Sequence, residues 1–206
     1  MLLKPTEGVG SSWTHRAARW TILPLVGTRV TPNQLTTLRL ATGLLACLAF
    51  ALGSREGEIW GGILWVLSAF LDRADGELAR VTGQMSAAGH AYDYACDVAC
   101  NALFFAAIGI GARDGVLGWW AIPIGLVTAA SIAAGSLLSE ELEKRDGSGK
   151  KAYTGVAGFD FDDMLYLFGP FAWLGWLTPL LVGAAIGGPA VALLTWWRLQ
   201  RIPNPA

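Results

Sequence analysis

Six apolar runs separate the polar parts of this chain, and they restrict its possible folds more than any other feature. They cover Gln34–Gly53, Ile59–Leu71, Val98–Gly111, Val116–Leu138, Met164–Trp176 and Leu180–Trp197. Charged residues make up only 15% of the chain and hydrophobic residues 53%, whereas roughly 25% of a soluble domain is charged. Apolar runs in such a composition predict an all-α membrane protein with six transmembrane helices.

An amphipathic segment precedes the first run. Within Ser12–Leu25, apolar residues such as Trp20 alternate with basic residues such as Arg19 at helical spacing. This pattern favours a helix lying in the membrane interface, with a disordered tail as the alternative. The chain therefore divides into an N-terminal amphipathic juxtamembrane segment, residues 1–30, and a six-helix transmembrane domain, residues 31–206, which carries the polar motifs.

The basic residues predict an orientation for these helices. If both termini are cytoplasmic, only Arg55 and Arg113 of the 15 Lys and Arg residues face the other side, which agrees with the positive-inside rule. We expect a multi-pass protein of a bacterial inner membrane. A net charge of -1 provides no basic surface of the kind that nucleic-acid binding requires, so DNA and RNA are not expected partners.

Three of the runs are too short to cross a bilayer alone, and each has an aspartate at one end. The second run stops before Asp72, the third starts after Asp97, and the fifth starts after Asp163. About 13 helical residues cover about 20 Å of a hydrocarbon layer about 30 Å thick. We therefore expect these carboxylates about 10 Å below the cytoplasmic boundary, in a polar chamber that opens to the cytoplasm.

Four aspartates form two pairs at helical spacing. Asp72 and Asp75 are three residues apart, Asp93 and Asp97 are four apart, and Gly83 lies between the pairs. Each pair shares one helix face, and a break at Gly83 would let the two helices pack antiparallel with the pairs facing each other. Four such carboxylates require cations, and all-oxygen ligands favour Mg²⁺, Mn²⁺ or Ca²⁺.

Three further residues near these pairs are suited to binding a phosphate group. Gly76 and Gly89 have no side chain beside the carboxylates, which leaves room for a bulky ligand. Arg80 lies one helical turn after Gly76 and offers a fork of donors for phosphate oxygens. Metal ligands, glycine gaps and an arginine together indicate a diphosphate site.

These residues resemble the signature of the CDP-alcohol phosphotransferase family, D-x2-D-G-x2-A-R-x8-G-x3-D-x3-D. Every spacing is present, in Asp72, Asp75, Gly76, Ala79, Arg80, Gly89, Asp93 and Asp97. The stretch TPNQLTTLR from Thr31 to Arg39 is similar to the start of that family's first transmembrane helix. The six-run layout extends the resemblance over nearly the whole chain.

The resemblance implies a metal-dependent transferase that moves a phosphatidyl or other phospho-alcohol group from a CDP-linked donor, such as CDP-diacylglycerol, to an alcohol and releases CMP. It also implies two divalent ions, Mg²⁺ or Mn²⁺, and often a homodimer. Its site residues map here to the metal ligands Asp72, Asp75 and Asp93, to Asp97 as metal ligand or catalytic base, and to the substrate contacts Gly76, Ala79, Arg80 and Gly89. Asn33 and Thr36 are further candidates for the cytidine side, although Thr31 and Asn33 are also suited to capping the first helix.

Two other classes of membrane protein also use aspartate pairs. A divalent-cation transporter or a structural ion site would need only the carboxylates, and an intramembrane prenyltransferase would bind Mg²⁺ and a diphosphate. Neither explains the Asp-Gly and Ala-Arg pairs. The choice between CDP-diacylglycerol and a soluble CDP-alcohol as the donor stays open.

The acidic start of the fifth run is the candidate acceptor site. Asp162 and Asp163 would be held near the chamber because that run is short, although Asp160 or Asp162 is equally suited to capping a helix. Few basic side chains accompany them, so a neutral polyol or an amino alcohol is expected as the acceptor. We interpret His90 as a packing or hydrogen-bonding residue.

Overall fold

The computed structural model describes residues 13–146 and 161–202, apart from the side chains of Trp13, Phe161 and Asp162. Every regular element in these ranges is helical, which confirms the predicted all-α class. The α-helices are α1 (Trp13–Ile22), α2 (Pro32–Ala51), α3 (Arg55–Thr82), α4 (Ala87–Gly111), α5 (Ala121–Asp146), α6 (Phe168–Trp173) and α7 (Leu177–Leu199). Short 3₁₀ helices lie at Leu23–Leu25, Ala112–Asp114, Gly118–Trp120 and Phe161–Leu167.

Local sequence signals set the ends of the helices that carry the motif. Thr31 and Gln34 form a capping box at the start of α2, with Pro32 in the first turn. The Ser86 side chain accepts a hydrogen bond from the amide of Gly89 and caps α4. Gly83 ends α3 in the left-handed conformation, with φ +69°, which a glycine adopts without strain. The predicted break at Gly83 is therefore present.

The structure does not reproduce six long apolar helices. In the described ranges, α2, α4 extended to Asp114, α5 extended from Gly118, and α7 are long and apolar enough to cross a membrane. The 28-residue α3 spans about 42 Å, but its second half carries the polar motif. The fifth run is not one helix, because seven residues of 3₁₀ helix precede the six-residue α6.

Helix α2 packs against both α3 and α4 and forms the centre of the fold. Helix α5 packs on α4 and α7, and α6 and α1 each pack on α3. Helices α3 and α4 share few close backbone contacts and meet instead through side chains, since Trp65 contacts Phe104 and the aspartates of α3 face Asp93, as expected. Their carboxylates therefore face each other across a cleft that α2 closes on one side.

An aromatic cluster forms the core on the side of the fold away from the aspartates. Phe104 of α4 stacks on Phe168 of α6 with ring centroids 4.6 Å apart. Trp65 of α3 lies 4.4 Å from the Phe104 ring, and Phe50 of α2 meets it edge-on. Burial of such rings supplies much of the packing energy that fixes α3 and α4 relative to each other.

Helix α1 turns a mixed face toward α3. Thr14, His15, Ala18 and Ile22 are buried, whereas Trp20 is 77% exposed. His15 is polar but lies against the protein and not on the exposed face of the helix. The outward position of Trp20 is consistent with an interfacial location for α1.

Candidate metal centre

Three of the four predicted metal ligands lie together. Each of Asp72, Asp75 and Asp93 offers a carboxylate oxygen, and these oxygens lie within 4.8 Å of one another. Oxygens that bind one divalent ion lie within about 4 to 5 Å of each other, because each metal–oxygen distance is about 2.0 to 2.6 Å. Asp93 Oδ1 is buried and has no hydrogen-bond partner. An all-carboxylate set with such an oxygen fits a hard cation such as Mg²⁺ or Mn²⁺.

Asp97 lies outside this group and pairs with Arg39 instead. The Arg39 Nη2 atom donates to Asp97 Oδ1, and the Arg39 Nε atom lies 3.3 Å from Asp72 Oδ1. Arg39 itself is only 3% exposed. One guanidinium thus contacts both Asp72 and Asp97, and its charge offsets the repulsion between the two carboxylates.

Sequence reasoning did not assign Arg39 to the site, although it counted Arg39 toward the orientation of the helices and included it in the stretch that resembles the family's first helix. A signal was available, because Thr36 and Arg39 are three residues apart on α2 and share one helix face. Since Thr36 was already a predicted site residue, Arg39 on the same helix face could have been predicted as one too.

Thr36 connects α2 to the metal-binding group. Its hydroxyl donates to Asp75 Oδ2 at 2.6 Å, and both side chains are buried. The hydroxyl also lies 3.2 Å from the Pro32 carbonyl. A buried carboxylate that accepts such a bond is held in one orientation, so α2 positions Asp75 as well as Asp97.

A cavity of about 280 Å³ opens beside the aspartates. Most predicted substrate contacts line it together with two of the metal-binding aspartates: Asn33, Thr36, Asp75, Gly76, Ala79, Arg80, Gly89 and Asp93. His90 also lines the cavity, and its interpretation as a packing or hydrogen-bonding residue stays a prediction. Gln84, Met85 and Ser86 of the turn between α3 and α4 were missed, because turn residues are read from sequence mainly as a break.

The two motif glycines are close to the side chains that shape this cavity. A Cβ atom on Gly76 would lie 3.4 Å from Nη2 of Arg80, so the guanidinium folds back over Gly76. A Cβ atom on Gly89 would lie 3.0 Å from Ser86 Oγ and 3.3 Å from Asn33 Oδ1. Both positions therefore leave space that a side chain would fill.

Asp163 lies away from the lining of the cavity. It is buried, and its Oδ1 atom accepts hydrogen bonds from Thr14 at 2.7 Å and from Arg73 at 3.4 Å. Asp160 and the side chain of Asp162 lie outside the described part of the chain.

Residues 29–196 match the family model of CDP-alcohol phosphatidyltransferases. Over 90 residues, 44% of this chain and 45% of the relative, the sequence is 38% identical to an archaetidylinositol phosphate synthase from Pyrococcus horikoshii. Over 132 residues, 61% of this chain and 55% of the relative, it is 30% identical to a phosphatidylinositol phosphate synthase from Corynebacterium glutamicum. The chain thus matches about half the length of these curated relatives.

A solved structure has a similar fold. It is the crystal structure of Mycobacterium tuberculosis phosphatidylinositol phosphate synthase with CDP-DAG bound. The TM-score is 0.69 at 17% identity, and the match covers 93% of this chain and 96% of that one. The likeness shows a common fold.

Proposed function

Because the chain belongs to the CDP-alcohol phosphatidyltransferase family, we propose that it transfers a phosphatidyl group from CDP-diacylglycerol to an alcohol and releases CMP, as a step of phospholipid synthesis. One observation carries the proposal: Asp75 and Asp93 of the metal-binding group line the same cavity as Gly76 and Arg80. A divalent ion on these aspartates and the Arg80 guanidinium would together neutralise a dianionic diphosphate in the cavity.

Asp72, Asp75 and Asp93 would hold the divalent ion, and Thr36 would keep Asp75 oriented toward it. An ion bound there supplies positive charge that neutralises the diphosphate and the departing CMP. A second ion would need Asp97, which shares Arg39 with Asp72. Mg²⁺ and Mn²⁺ are the proposed ions, because the ligands are carboxylate oxygens.

The protein residues then have distinct tasks in the transfer. Arg80 binds diphosphate oxygens through its guanidinium. In the overall reaction the acceptor oxygen bonds to the lipid-bearing phosphorus, the bond from that phosphorus to the CMP oxygen breaks, and Asp97 takes the hydroxyl proton. Arg39 holds Asp97 in place for this step. Positioning and charge neutralisation supply most of the acceleration, as in other phosphoryl transfers.

The membrane arrangement belongs to the same proposal. Six crossings would require α3, and the broken segment that ends in α6, to cross beside the four apolar helices. The α1 helix would then lie in the interface, with the aspartates facing the cytoplasm in a homodimer. Labelling of single cysteines placed in the turn at Gln84, from each side of sealed vesicles, tests the orientation. Cross-linking of the protein in vesicles tests the dimer.

The acceptor is proposed to be a neutral polyol or an amino alcohol. In the described part of the chain the buried arginines Arg39 and Arg73 each contact a carboxylate. The carboxylate partly neutralises the positive potential that each arginine would offer to an anionic acceptor. The role of Asp162 and Asp163 as acceptor contacts stays a prediction. Asp163 contacts Thr14 of α1 and Arg73 of α3, which favours a role in holding α1 against the protein.

A panel of substrates tests these assignments. CMP release by the purified protein with Mg²⁺ or Mn²⁺ is measured for CDP-diacylglycerol and for soluble CDP-alcohols. The acceptors are inositol, choline, ethanolamine, glycerol 3-phosphate and inositol phosphate. Activity only with soluble CDP-alcohols would show that CDP-diacylglycerol is not the donor. Clear preference for a phosphorylated acceptor would refute the proposal of a neutral polyol or an amino alcohol. CMP release from no pair, together with measured cation flux, would favour a transporter.

A further inference from the structure

Glu77 is a buried carboxylate on α3 that the family signature does not include. It lies between Gly76 and the motif residues Ala79 and Arg80, and its side chain is 0% exposed. Its Oε1 atom lies 3.0 Å from Nδ1 of His15 and 2.8 Å from Nη2 of Arg80. Its Oε2 atom accepts a hydrogen bond from Nε of Arg19 at 2.9 Å. Glu77 therefore connects α1 directly to the arginine of the cavity.

A carboxylate this deeply buried needs such partners. Removing an ion from water costs several kcal/mol, and only close, well-oriented donors offset the cost. His15 and Arg19 reach Glu77 from α1, and Arg80 reaches it from the same helix at i+3 spacing. Both carboxylate oxygens of Glu77 have partners, so the side chain has little freedom to turn. The Arg80 guanidinium bound to it is restricted in the same way.

Glu77 holds the Arg80 guanidinium through one nitrogen only. Glu77 binds Nη2, and His15 Nδ1 lies 3.4 Å from the same atom. The guanidinium lies over Gly76, where a Cβ atom would be 3.4 Å from Nη2 and 3.5 Å from Nη1. Arg80 lines the cavity and its side chain is 34% exposed. Its remaining donors are thus available to a ligand in the cavity.

His15 also connects the Glu77 network, through Arg73, to Asp163 in the 3₁₀ helix Phe161–Leu167. Its Nε2 atom lies 3.3 Å from Nη1 of Arg73, and Arg73 contacts Asp163. Thr14 contacts Asp163 as well. In the tautomer with the proton on Nδ1, His15 donates to Glu77 and accepts from Arg73 at Nε2. Nδ1 then cannot accept from Arg80, so His15 acts on Arg80 through Glu77. Helix α1 is thereby held against α3 by buried polar groups as well as by Ala18 and Ile22.

We propose that Glu77 is a positioning residue for the donor site: together with His15 and Arg19 of α1 it fixes the Arg80 guanidinium over Gly76, so that α1 completes the site that binds the diphosphate. The inference rests on the proposed function, because it assigns Arg80 to a CDP-linked ligand. It differs from a merely structural role in one respect. If Glu77 is only structural, its substitution should change CDP affinity whether or not Arg80 is present. If Glu77 positions Arg80, its substitution should change CDP affinity only while Arg80 is present.

A double-mutant cycle separates these roles. The affinity for CDP is measured in the presence of Mn²⁺ by calorimetry on the detergent-solubilised full chain, for the wild type, Glu77→Gln, Arg80→Gln and the double variant. Each single variant is expected to weaken CDP binding about tenfold or more, as loss of a charged hydrogen bond would. The double variant should bind within about twofold of Arg80→Gln. Unchanged affinity in Glu77→Gln, or full additivity in the double variant, would overturn the inference.

A matched control and a second variant complete the experiment. Glu58→Gln removes a carboxylate that pairs with Arg55 at the same spacing at the other end of α3, and it should leave CDP affinity unchanged. If Glu77→Gln fails to fold, Arg19→Gln takes its place in the cycle, with an expected weakening of about threefold that Arg19→Lys partly restores. An unchanged affinity in Arg19→Gln would then overturn the inference.

The outcomes also separate this inference from the proposed function. If the wild-type protein binds Mn²⁺ but not CDP, the proposed function fails and the inference fails with it. If the wild type binds CDP and Glu77→Gln binds it equally well, only the inference fails.

Discussion

Arg39 on α2 pairs with Asp97 on α4, on the side where α2 closes the cleft between α3 and α4. The same guanidinium lies 3.3 Å from Asp72 on α3, so one buried cation joins the three helices that carry the site. The Arg39 side chain is buried but the Asp97 side chain is 36% exposed, so breaking the pair should cost less than the about 3 to 5 kcal/mol typical of a fully buried pair. Arg39 therefore contributes both to the stability of the fold and to the position of the proposed base.

The first prediction concerns this pair. Arg39→Gln should lower the thermal midpoint in detergent by several degrees and reduce CMP release about 100-fold, because Asp97 loses its orientation. Lys144→Gln, which removes an exposed cation that pairs with Glu140 one turn away, is the control and should change neither value. An Arg39→Gln protein with normal activity would show that the pair does not position Asp97.

The second prediction separates metal binding from proton transfer. Asp75→Asn should weaken Mn²⁺ binding at least tenfold, because Asp75 is one of three ligands that lie together. Asp97→Asn should leave Mn²⁺ binding within about threefold but reduce turnover about 10² to 10⁴-fold, as expected for loss of a general base. Electron paramagnetic resonance of free Mn²⁺ measures the binding. An equal loss of Mn²⁺ affinity in both variants would instead make Asp97 a ligand of the same ion.

The third prediction concerns the hydroxyl of Thr36. Thr36→Val removes the donor to buried Asp75 and should cost about 1 to 3 kcal/mol of stability, with weaker Mn²⁺ binding. Thr36→Ser keeps the hydroxyl and should restore most of the affinity. Thr21→Val serves as the control, because the hydroxyl of the exposed Thr21 donates to the Ala17 carbonyl of its own helix. If the serine variant behaves like the valine variant, the methyl packing and not the hydrogen bond is responsible.

The fourth prediction compares two glycines on either side of one turn. Gly89→Ala places a Cβ atom 3.0 Å from Ser86 Oγ and 3.3 Å from Asn33 Oδ1, so it should raise the KM for the CDP-linked donor several-fold. Gly83→Ala meets no atom within 4 Å, but it strains a backbone with φ +69° and should cost about 1 kcal/mol of stability with unchanged KM. A higher KM in Gly83→Ala alone would contradict this division.

Several elements were predictable because one local rule decides them. The helical spacing of the aspartates places Asp72 and Asp75 on one face, and Gly83 ends α3 because its position needs a left-handed backbone. The capping box at Thr31 similarly fixes the start of α2. In each case the residues that decide the structure are neighbours in the sequence.

Other features depend on contacts between distant residues and could not be predicted in this way. Arg39 lies 58 residues before Asp97, and only the packing of α2 between α3 and α4 brings them together. The fifth apolar run has the composition of a helix, yet it forms a 3₁₀ segment and a short α6 that ends at the turn before Gly175, with φ +72°. Glu77 has the sequence context of an ordinary helix residue, and only the packing of α1 brings His15 and Arg19 to it.

The central claim is a metal-dependent transfer from a CDP-linked donor at the aspartate cavity. Its most direct test is CMP release from CDP-diacylglycerol by the purified wild-type protein, with the acceptor panel, with and without Mn²⁺, beside Asp75→Asn and Asp97→Asn. We predict CMP release that requires Mn²⁺ or Mg²⁺ and is lost in both variants. CMP release that persists in chelator, or that both variants retain at the wild-type rate, would contradict the account.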